Sequence, residues 1–139
     1  MHVVAAVIER EQRILICQRR GGRHAHKWEF PGGKIEPGED ARSALVRELR
    51  EELAIKAVIG ALLHTETVRY SGGPAIHLEF FHVTDISGEP VNLQFEQIVW
   101  ERRGNLARYD FLEGDVRFVQ KLAAGGEKGA SGGPAGRSS

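Results

Sequence analysis

The sequence predicts an α/β fold with a mixed β-sheet. Apolar segments rich in β-branched residues lie before and after one amphipathic segment, residues 40–53, and a second helical pattern occupies residues 113–122. Strands that flank a helix and are followed by more strands and a terminal helix are typical of domains in which helices cover a sheet. The chain of 139 residues is long enough to bury a core and fits one such domain.

The first part of the chain begins with two predicted strands, residues 2–8 and 13–18, which a short polar segment joins. Glycine, histidine and basic residues then predict a mobile loop over residues 21–27. In the predicted helix over residues 40–53, leucines recur at helical spacing and form a stripe that can face a core.

The second half of the chain predicts a hairpin followed by shorter elements. Residues 56–70 and 75–84 are mostly β-branched, aliphatic or aromatic, and the turn-forming residues 71–74 separate them. The remaining predictions, in chain order, are a loop, a short strand, a short helical turn and the terminal helix, at residues 85–90, 96–102, 105–107 and 113–122.

The last segment of the chain, residues 124–139, consists mainly of glycine, alanine, serine and proline. Such a composition offers too little apolar surface to offset the entropy of ordering the chain. The sequence therefore predicts one domain over residues 1–123, followed by a disordered tail.

Composition limits the classes of partner. Lysine plus arginine and aspartate plus glutamate both number 19, so the formal net charge is zero, which gives no support for binding nucleic-acid polymers or acidic membranes. No signal peptide and no membrane-spanning apolar run is recognised, and a single cysteine excludes an internal disulfide. We therefore expect a cytoplasmic protein, a monomer or homodimer, whose partner is a small molecule.

Three glutamates dominate one face of the first predicted helix. Glu48, Glu51 and Glu52 are spaced i, i+3 and i+4, so their carboxylates lie within one helical turn of each other and repel one another at neutral pH. A hard divalent cation such as Mg²⁺ removes that repulsion. The alternative is a solvated face on which Arg47 and Arg50 form ordinary ion pairs with these glutamates.

The loop before this helix contains two turn-forming dipeptides, at residues 32–33 and 37–38. Glycines there allow backbone groups to approach a ligand closely. A loop and a helix that both supply oxygen ligands can hold a metal ion against a phosphate chain.

These residues resemble the Nudix box, G-x5-E-x7-R-E-U-x-E-E-x-G-U with U aliphatic. The matching positions are Gly33, Glu39, Arg47, Glu48, Leu49, Glu51, Glu52 and Ile55. Ala54 stands where the pattern has glycine, which puts in question the backbone geometry at the helix end. The preceding segment, residues 28–34, is similar to the MutT-type branch of the Nudix superfamily.

The resemblance implies a mixed sheet sandwiched between helices and an Mg²⁺-dependent hydrolase, with Mn²⁺ as a substitute metal. It implies that the Gly33 carbonyl, Glu51 and Glu52 are metal ligands. Glu48 would be the general base or a bridging ligand, two roles that stay open, and Arg47 would orient it. Glu96 is a further candidate ligand from a later loop, and a plain surface glutamate is the alternative there.

Basic residues near the box are candidates for binding the triphosphate: Arg20, Arg23 and Lys34. For Arg23, a solvated loop side chain is an equal alternative. Glu29 and Phe30 are substrate-binding candidates from the MutT-like segment, and His24 and His26 could line the entrance. Phe30 and the small residues Val3 and Ala5 could form an apolar pocket floor, and core packing is the alternative for them.

Asp115, near the start of the last predicted helix, occupies the place of the base-reading residue of the MutT-type branch. Its alternative role is a helix N-cap. The resemblance implies hydrolysis of a nucleoside triphosphate to the monophosphate and pyrophosphate, with 8-oxo-dGTP as the first candidate in nucleotide-pool sanitation. Cytidine nucleotides, ADP-ribose and dinucleoside polyphosphates are alternative substrates, and a Nudix-shaped binding module without turnover is an alternative of another class.

Overall fold

A computed structural model of the protein describes residues 1–131, and side chains up to residue 125. Two α-helices, α1 at Ala41–Leu53 and α2 at Glu113–Ser131, and a 3-10 helix at Arg103–Arg108 accompany the strands. The strands are β1 (His2–Arg10), β2 (Arg13–Gln18), β3 (Trp28–Glu29), β4 (Gly32–Lys34), β5 (Lys56–Val58), β6 (Leu62–Arg69), β7 (Ala75–Val83), β8 (Asp85–Ser87) and β9 (Gln97–Arg102).

Strand β1 lies at the centre of a mixed sheet. It runs parallel to β7, with Ala5 opposite Phe80, and antiparallel to β4, with Ala5 opposite Gly32. Within the described residues the strand order is β3-β2-β1-β7-β6, and β4 and β9 pair additionally with β1 and β2. The predicted hairpins β1–β2 and β6–β7 are both present.

The two faces of this sheet are covered by different helices, because successive side chains of a strand point to opposite faces. Val4 and Ala6 of β1 pack with Leu45 and Leu49 of α1 in one core cluster. The second cluster joins β1 residues Ala5 and Val7 to α2 residues Phe118, Val119 and Leu122. The predicted fold, a mixed sheet between helices, is confirmed.

Helix α1 has defined ends. Its cap residue Asp40 accepts a hydrogen bond from the Ser43 amide at 2.8 Å, which satisfies one of the free N–H groups of the first turn. At the other end, Ala54 adopts the left-handed conformation with φ 57° and ψ 35°, and its N–H donates to the Arg50 carbonyl at 3.1 Å. The alanine therefore takes the backbone geometry for which the box pattern has glycine.

Three predicted segments differ in the structure. The single strand expected over residues 56–70 is divided into β5 and β6, and the expected loop 85–90 contains β8, which pairs with β5. The division lies at Gly60, whose N–H donates to the His82 carbonyl at 2.8 Å. The loop before α1 contains the short strand β4 because residues 32–34 pair with β1.

Helix α2 extends further than predicted. It continues to Ser131, so the predicted helix end at 122 is too early, and the helix includes residues 124–131 of the segment predicted as a tail. The glycines in this stretch weaken a helix without ending it. The next proline, a residue that would interrupt a helix, comes only at position 134. The rest of the predicted tail, residues 132–139, lies outside the described residues. In the described part of the chain, no helix is both long and apolar enough to span a membrane.

Candidate active site

Glu52 is the buried carboxyl group of the α1 face, with 3% of its surface exposed. Its Oε1 accepts a hydrogen bond from the Gly32 amide at 3.1 Å, and its Oε2 accepts one from Gln94 Nε2 at 3.4 Å. Burial and the neighbouring Glu48 carboxyl raise the pKa of Glu52 to about 9. Glu52 therefore stays protonated at neutral pH unless a positive charge is supplied beside it.

Glu48 lies directly against the box loop. A Cβ atom at position 33 would be 2.5 Å from the Glu48 carboxyl carbon, so a side chain at Gly33 would fill the space that this carboxyl occupies. Two carboxyl groups of α1, those of Glu48 and Glu52, thus come together next to the backbone of Gly32 and Gly33. The sequence predicted that these glycines let the backbone approach a ligand, and in the structure their backbone lies against the two carboxyl groups.

Arg47 connects the helix to the loop through one guanidinium group. It donates to both carboxylate oxygens of Glu39, at 2.7 and 3.0 Å, and to the Lys34 carbonyl at 3.1 Å. Its Nη1 also donates to Glu48 at 3.2 Å and to Glu51 at 3.3 Å. The Arg47 hydrogen bond lowers the pKa of Glu39 to about 2, so this pair remains ionised at neutral pH.

The three box carboxylates do not converge on one point. Glu51 is turned outward, with 57% of its side chain exposed, while Glu48 and Glu52 face the loop. Among residues 1–131, no group of three or more histidine, cysteine or acidic side chains is assembled as a metal site. Glu48 and Glu52 are nevertheless a donor set of the hard oxygen type that suits Mg²⁺, and burial beside the Glu48 carboxyl raises the pKa of Glu52.

A cavity of about 310 Å³ opens beside this cluster. Five of the predicted substrate-binding and metal-site residues line it: Glu29, Phe30, Gly33, Lys34 and Asp115. Val3 and Ala5, the predicted floor, also line it, as does His24 from the loop that follows β2. The cavity thus runs from the Gly33 end of the box to the start of α2.

Asp115 is a buried polar residue of this cavity, with 6% of its surface exposed. It is the third residue of α2 and not the residue before the helix, so the N-cap alternative does not describe its position. Burial and the Glu29 carboxylate raise the pKa of Asp115, while Arg19 and the Phe30 backbone amide act in the opposite direction. A carboxyl group with a raised pKa can donate a hydrogen bond as well as accept one.

Arg19 is a cavity residue that the sequence analysis missed. Its Nη1 donates to Glu29 at 3.0 Å, and its buried Nε has no hydrogen-bond partner within the described residues. Burial raises the pKa of Glu29, and Arg19 partly offsets that effect. Consecutive side chains of an extended segment point in different directions, so choosing between Arg19 and Arg20 required the course of the chain after β2.

The other two predicted phosphate ligands, Arg20 and Arg23, and the predicted metal ligand Glu96 do not line the main cavity. Arg20 donates to the Phe95 carbonyl at 2.7 Å, beside a smaller cavity that it shares with Arg19. Arg23 is exposed and does not line the main cavity. Glu96 is also exposed, and Gln94, two residues earlier in the same loop, is the residue that reaches Glu52.

Tyr70 was also missed by the sequence analysis, which assigned it only to the end of a strand. It lines the same cavity as Glu29, and its ring packs against His24 with 5.3 Å between ring centroids. His26, the other histidine predicted at the entrance, is exposed and does not line the cavity. No local sequence pattern distinguishes Tyr70, because the contact depends on how two loops meet.

The NUDIX domain family model matches residues 1–122. The CTP pyrophosphohydrolase of Escherichia coli K12 is 39% identical over 125 residues, which covers 89% of this chain and 92% of the relative. A putative 8-oxo-dGTP diphosphatase 2 of Mycobacterium tuberculosis H37Rv is 32% identical over 122 residues, covering 87% and 86%. The solution structure of the E. coli ORF135 protein superposes with a TM-score of 0.80 and 36% identity, covering 96% of this chain and 94% of that one.

Proposed function

The chain belongs to the Nudix hydrolase family, and we propose that it hydrolyses a nucleoside triphosphate to the monophosphate and pyrophosphate with Mg²⁺ bound at the box. The observation that carries this proposal is the position of the Glu48–Glu52 pair against Gly32 and Gly33, which line the same cavity as Asp115. A triphosphate can lie along the box while its base enters the cavity. Metal chemistry and base recognition are then separate parts of one site.

Glu48 and Glu52, with the Gly33 backbone and Glu51, would hold the metal ion. When bound, Mg²⁺ offsets the negative charge of the phosphates and supplies an activated water. The protein's own part is to place Glu48 beside that water as a proton acceptor or as a further ligand. Arg47 keeps the Glu48 carboxylate in position through its hydrogen bond at 3.2 Å.

Positive side chains near the box would orient the phosphate chain. Lys34 lines the cavity next to Gly33, and Arg20 lies in the adjoining smaller cavity with Arg19. Arginine matches phosphate oxygens with its planar fork, while lysine acts as a point charge. These contacts bind the substrate equally in its ground and transition states, so their loss would mainly raise KM.

For the base, we place cytidine triphosphate first and 8-oxo-dGTP second. A protonated Asp115 offers one donor and one acceptor. Cytosine presents its amino group as a donor beside the acceptor N3, and 8-oxoguanine presents N7–H beside the acceptor O6, so both match this pair. On that same edge, ordinary guanine presents two acceptors, N7 and O6, and does not match the pair there. The sequence analysis ranked 8-oxo-dGTP first, and the 39% identity to a CTP pyrophosphohydrolase supports the reverse order.

The test is hydrolysis of CTP, dCTP, 8-oxo-dGTP, dGTP, ADP-ribose and dinucleoside polyphosphates with Mg²⁺ or Mn²⁺, before and after Asp115→Ala. Chromatography of the nucleotide products measures turnover of every compound, and pyrophosphate release is measured for the triphosphates. We expect CTP or 8-oxo-dGTP to have the highest kcat/KM. The substitution should raise KM for that nucleotide by about tenfold, corresponding to the loss of one good base-edge contact. Preference for ADP-ribose or dinucleoside polyphosphates would refute the triphosphate assignment.

A non-catalytic binding module is the rival from another class. It would bind a nucleotide in calorimetry and hydrolyse no member of the panel. The intact Glu48, Glu51 and Glu52 support turnover, because loss of one of them would be the simplest mark of such a module. A cytoplasmic location and a monomeric or dimeric state remain predictions from the sequence.

A further inference from the structure

The hydroxyl group of Tyr70 is bonded to the start of α2. It accepts a hydrogen bond from the Gly114 backbone N–H at 2.9 Å, across 44 positions of sequence. Gly114 directly precedes Asp115, and both Tyr70 and Asp115 line the cavity. A residue of the β6–β7 turn is thereby joined to the backbone that holds the buried carboxyl.

This hydrogen bond meets a requirement of the helix. The first N–H groups of an α-helix lack partners within the helix and need side chains, water or other groups. The Asp115 N–H has the Leu112 carbonyl as its acceptor, at 2.9 Å. The Gly114 N–H bonds instead to an acceptor outside the helix. Tyr70 provides that acceptor from a different element, so it acts as a tertiary cap of α2.

The packing around Gly114 holds the start of the helix close to the sheet. A Cβ atom at this position would lie 2.7 Å from Leu78 Cδ1, 3.0 Å from the Tyr70 hydroxyl oxygen and 3.1 Å from Val68 Cγ1. These separations are shorter than ordinary contacts, so a side chain at position 114 would displace Leu78 Cδ1 and press on the Tyr70 hydroxyl and Val68. The place of Asp115 in the cavity depends on this packing.

The phenol ring of Tyr70 is also held on its other side. The His24 ring packs on it at 5.3 Å between centroids, with an interplanar angle of 49°. Aromatic pairs at this separation attract each other in tilted arrangements. The ring is therefore located by His24 while its hydroxyl is located by Gly114.

We propose that Tyr70 is a positioning residue for base selection, which fixes the first turn of α2 and thereby the Asp115 carboxyl in the base pocket. This inference rests on the proposed function, because it assigns Tyr70 a role in the same site. Tyr70 acts through Gly114 and Asp115 and takes no part in cleavage of the phosphate chain.

The experiment is Tyr70→Phe, which removes the hydroxyl and retains the ring that packs on His24. We expect KM for the preferred nucleotide to rise about five- to tenfold, the range for losing one hydrogen bond at a binding site, with kcat within about twofold. The ratio of kcat/KM between that nucleotide and dGTP should fall by the same factor. A change in kcat with KM unaltered, or an unaltered ratio, would overturn the proposal.

Tyr109→Phe is the matched control, since Tyr109 is the only other tyrosine of the chain and its hydroxyl bonds to Glu101 outside the cavity. It should leave base selection as in the parent protein. If Tyr109→Phe altered selection as much as Tyr70→Phe, a general loss of stability would be the explanation and the proposal would fail.

Gly114→Ala should displace the start of α2 from Tyr70 in a second way, because the added Cβ would press against Leu78 and Tyr70. It should reduce base selection, and the double variant with Tyr70→Phe should show less than the product of the two single effects. Independent, multiplicative effects would refute the link between these residues.

Two measurements separate this proposal from the proposed function. Calorimetric binding of CMP and 8-oxo-dGMP reports on the base pocket even in a protein without turnover. Amide hydrogen exchange at Gly114 reports on the hydrogen bond itself and should accelerate in Tyr70→Phe. Absence of turnover in the parent protein would refute the proposed function, whereas unchanged monophosphate affinity in Tyr70→Phe would refute the positioning role.

Discussion

The guanidinium group of Arg47 forms a forked hydrogen bond with Glu39, from Nε to Oε2 at 2.7 Å and from Nη2 to Oε1 at 3.0 Å. Glu39 lies in the loop and Arg47 in α1, so the fork joins the two parts of the box. The same guanidinium donates to Glu48. One planar group thus sets the distance between the loop and the carboxylates of the helix.

Arg47→Lys should lower kcat/KM by about tenfold or more, because one ammonium group cannot form the fork and reach Glu48 at the same time. Steady-state kinetics with the preferred nucleotide measures the effect. Arg50→Lys, at an exposed position of the same helix, is the control and should behave like the parent protein. Equal losses in the two variants would show that the fork has no special part in the site.

Glu52→Gln should reduce turnover about 100-fold or more, because the amide cannot provide the charge that a hard cation requires. Its thermal stability without metal should equal or exceed that of the parent, since the amide is neutral without the proton that Glu52 has to take up on folding at neutral pH. Adding Mg²⁺ should raise the melting temperature of the parent and not of the variant. Glu89→Gln, at an exposed position, should keep the full Mg²⁺ response. Near-parent turnover in Glu52→Gln would contradict the metal assignment.

Asp115→Asn should change how stability depends on pH. The pKa of Asp115 is raised in the folded state by burial, so above pH 3.8 the folded chain retains a proton that the unfolded chain releases. Stability of the parent should therefore fall with rising pH, by at most about 1.4 kcal/mol per pH unit from this one group. Urea unfolding between about pH 5 and 8 should show a flatter profile for the variant. Parallel profiles would mean that Asp115 is ionised in the folded protein.

Ala54→Gly should stabilise the protein by about 1 kcal/mol, because a left-handed backbone conformation is unfavourable for a residue with a Cβ atom. Urea or thermal unfolding measures the change. Ala44→Gly, inside the same helix, should have the opposite sign, since glycine is unfavourable at ordinary helical angles. Destabilisation by Ala54→Gly would show that the alanine methyl group contributes a packing contact at the helix end.

A chain that ends at Ala124 should match the full chain in melting temperature and activity. The apolar residues that dock α2 on the sheet, Phe118, Val119 and Leu122, all precede this point. Residues after it add glycine-rich sequence with little apolar surface. A clear drop in melting temperature would show that the later turns of α2 contribute to folding.

The sequence by itself determined the features that depend on neighbouring residues. The extent of α1 and the common face of its glutamates follow from helical spacing, which covers a few residues at a time. The two hairpins follow from apolar segments separated by turn residues, and the eight box positions identify the family from one contiguous segment. Strand β1 is apolar at consecutive positions from Val3 to Ile8, and successive side chains point to opposite faces. Its sequence therefore also indicates that both faces of the sheet are buried.

Only the tertiary structure decided which side chains meet across distant segments. It placed Gln94 against Glu52 where sequence reasoning proposed Glu96, and Arg19 at the cavity beside Glu29. A loop can move a side chain by several ångströms with each residue, so spacing within the chain does not determine such contacts. The bond from Gly114 to Tyr70 is of this kind, because it forms only once the β6–β7 turn and the start of α2 pack on the same sheet.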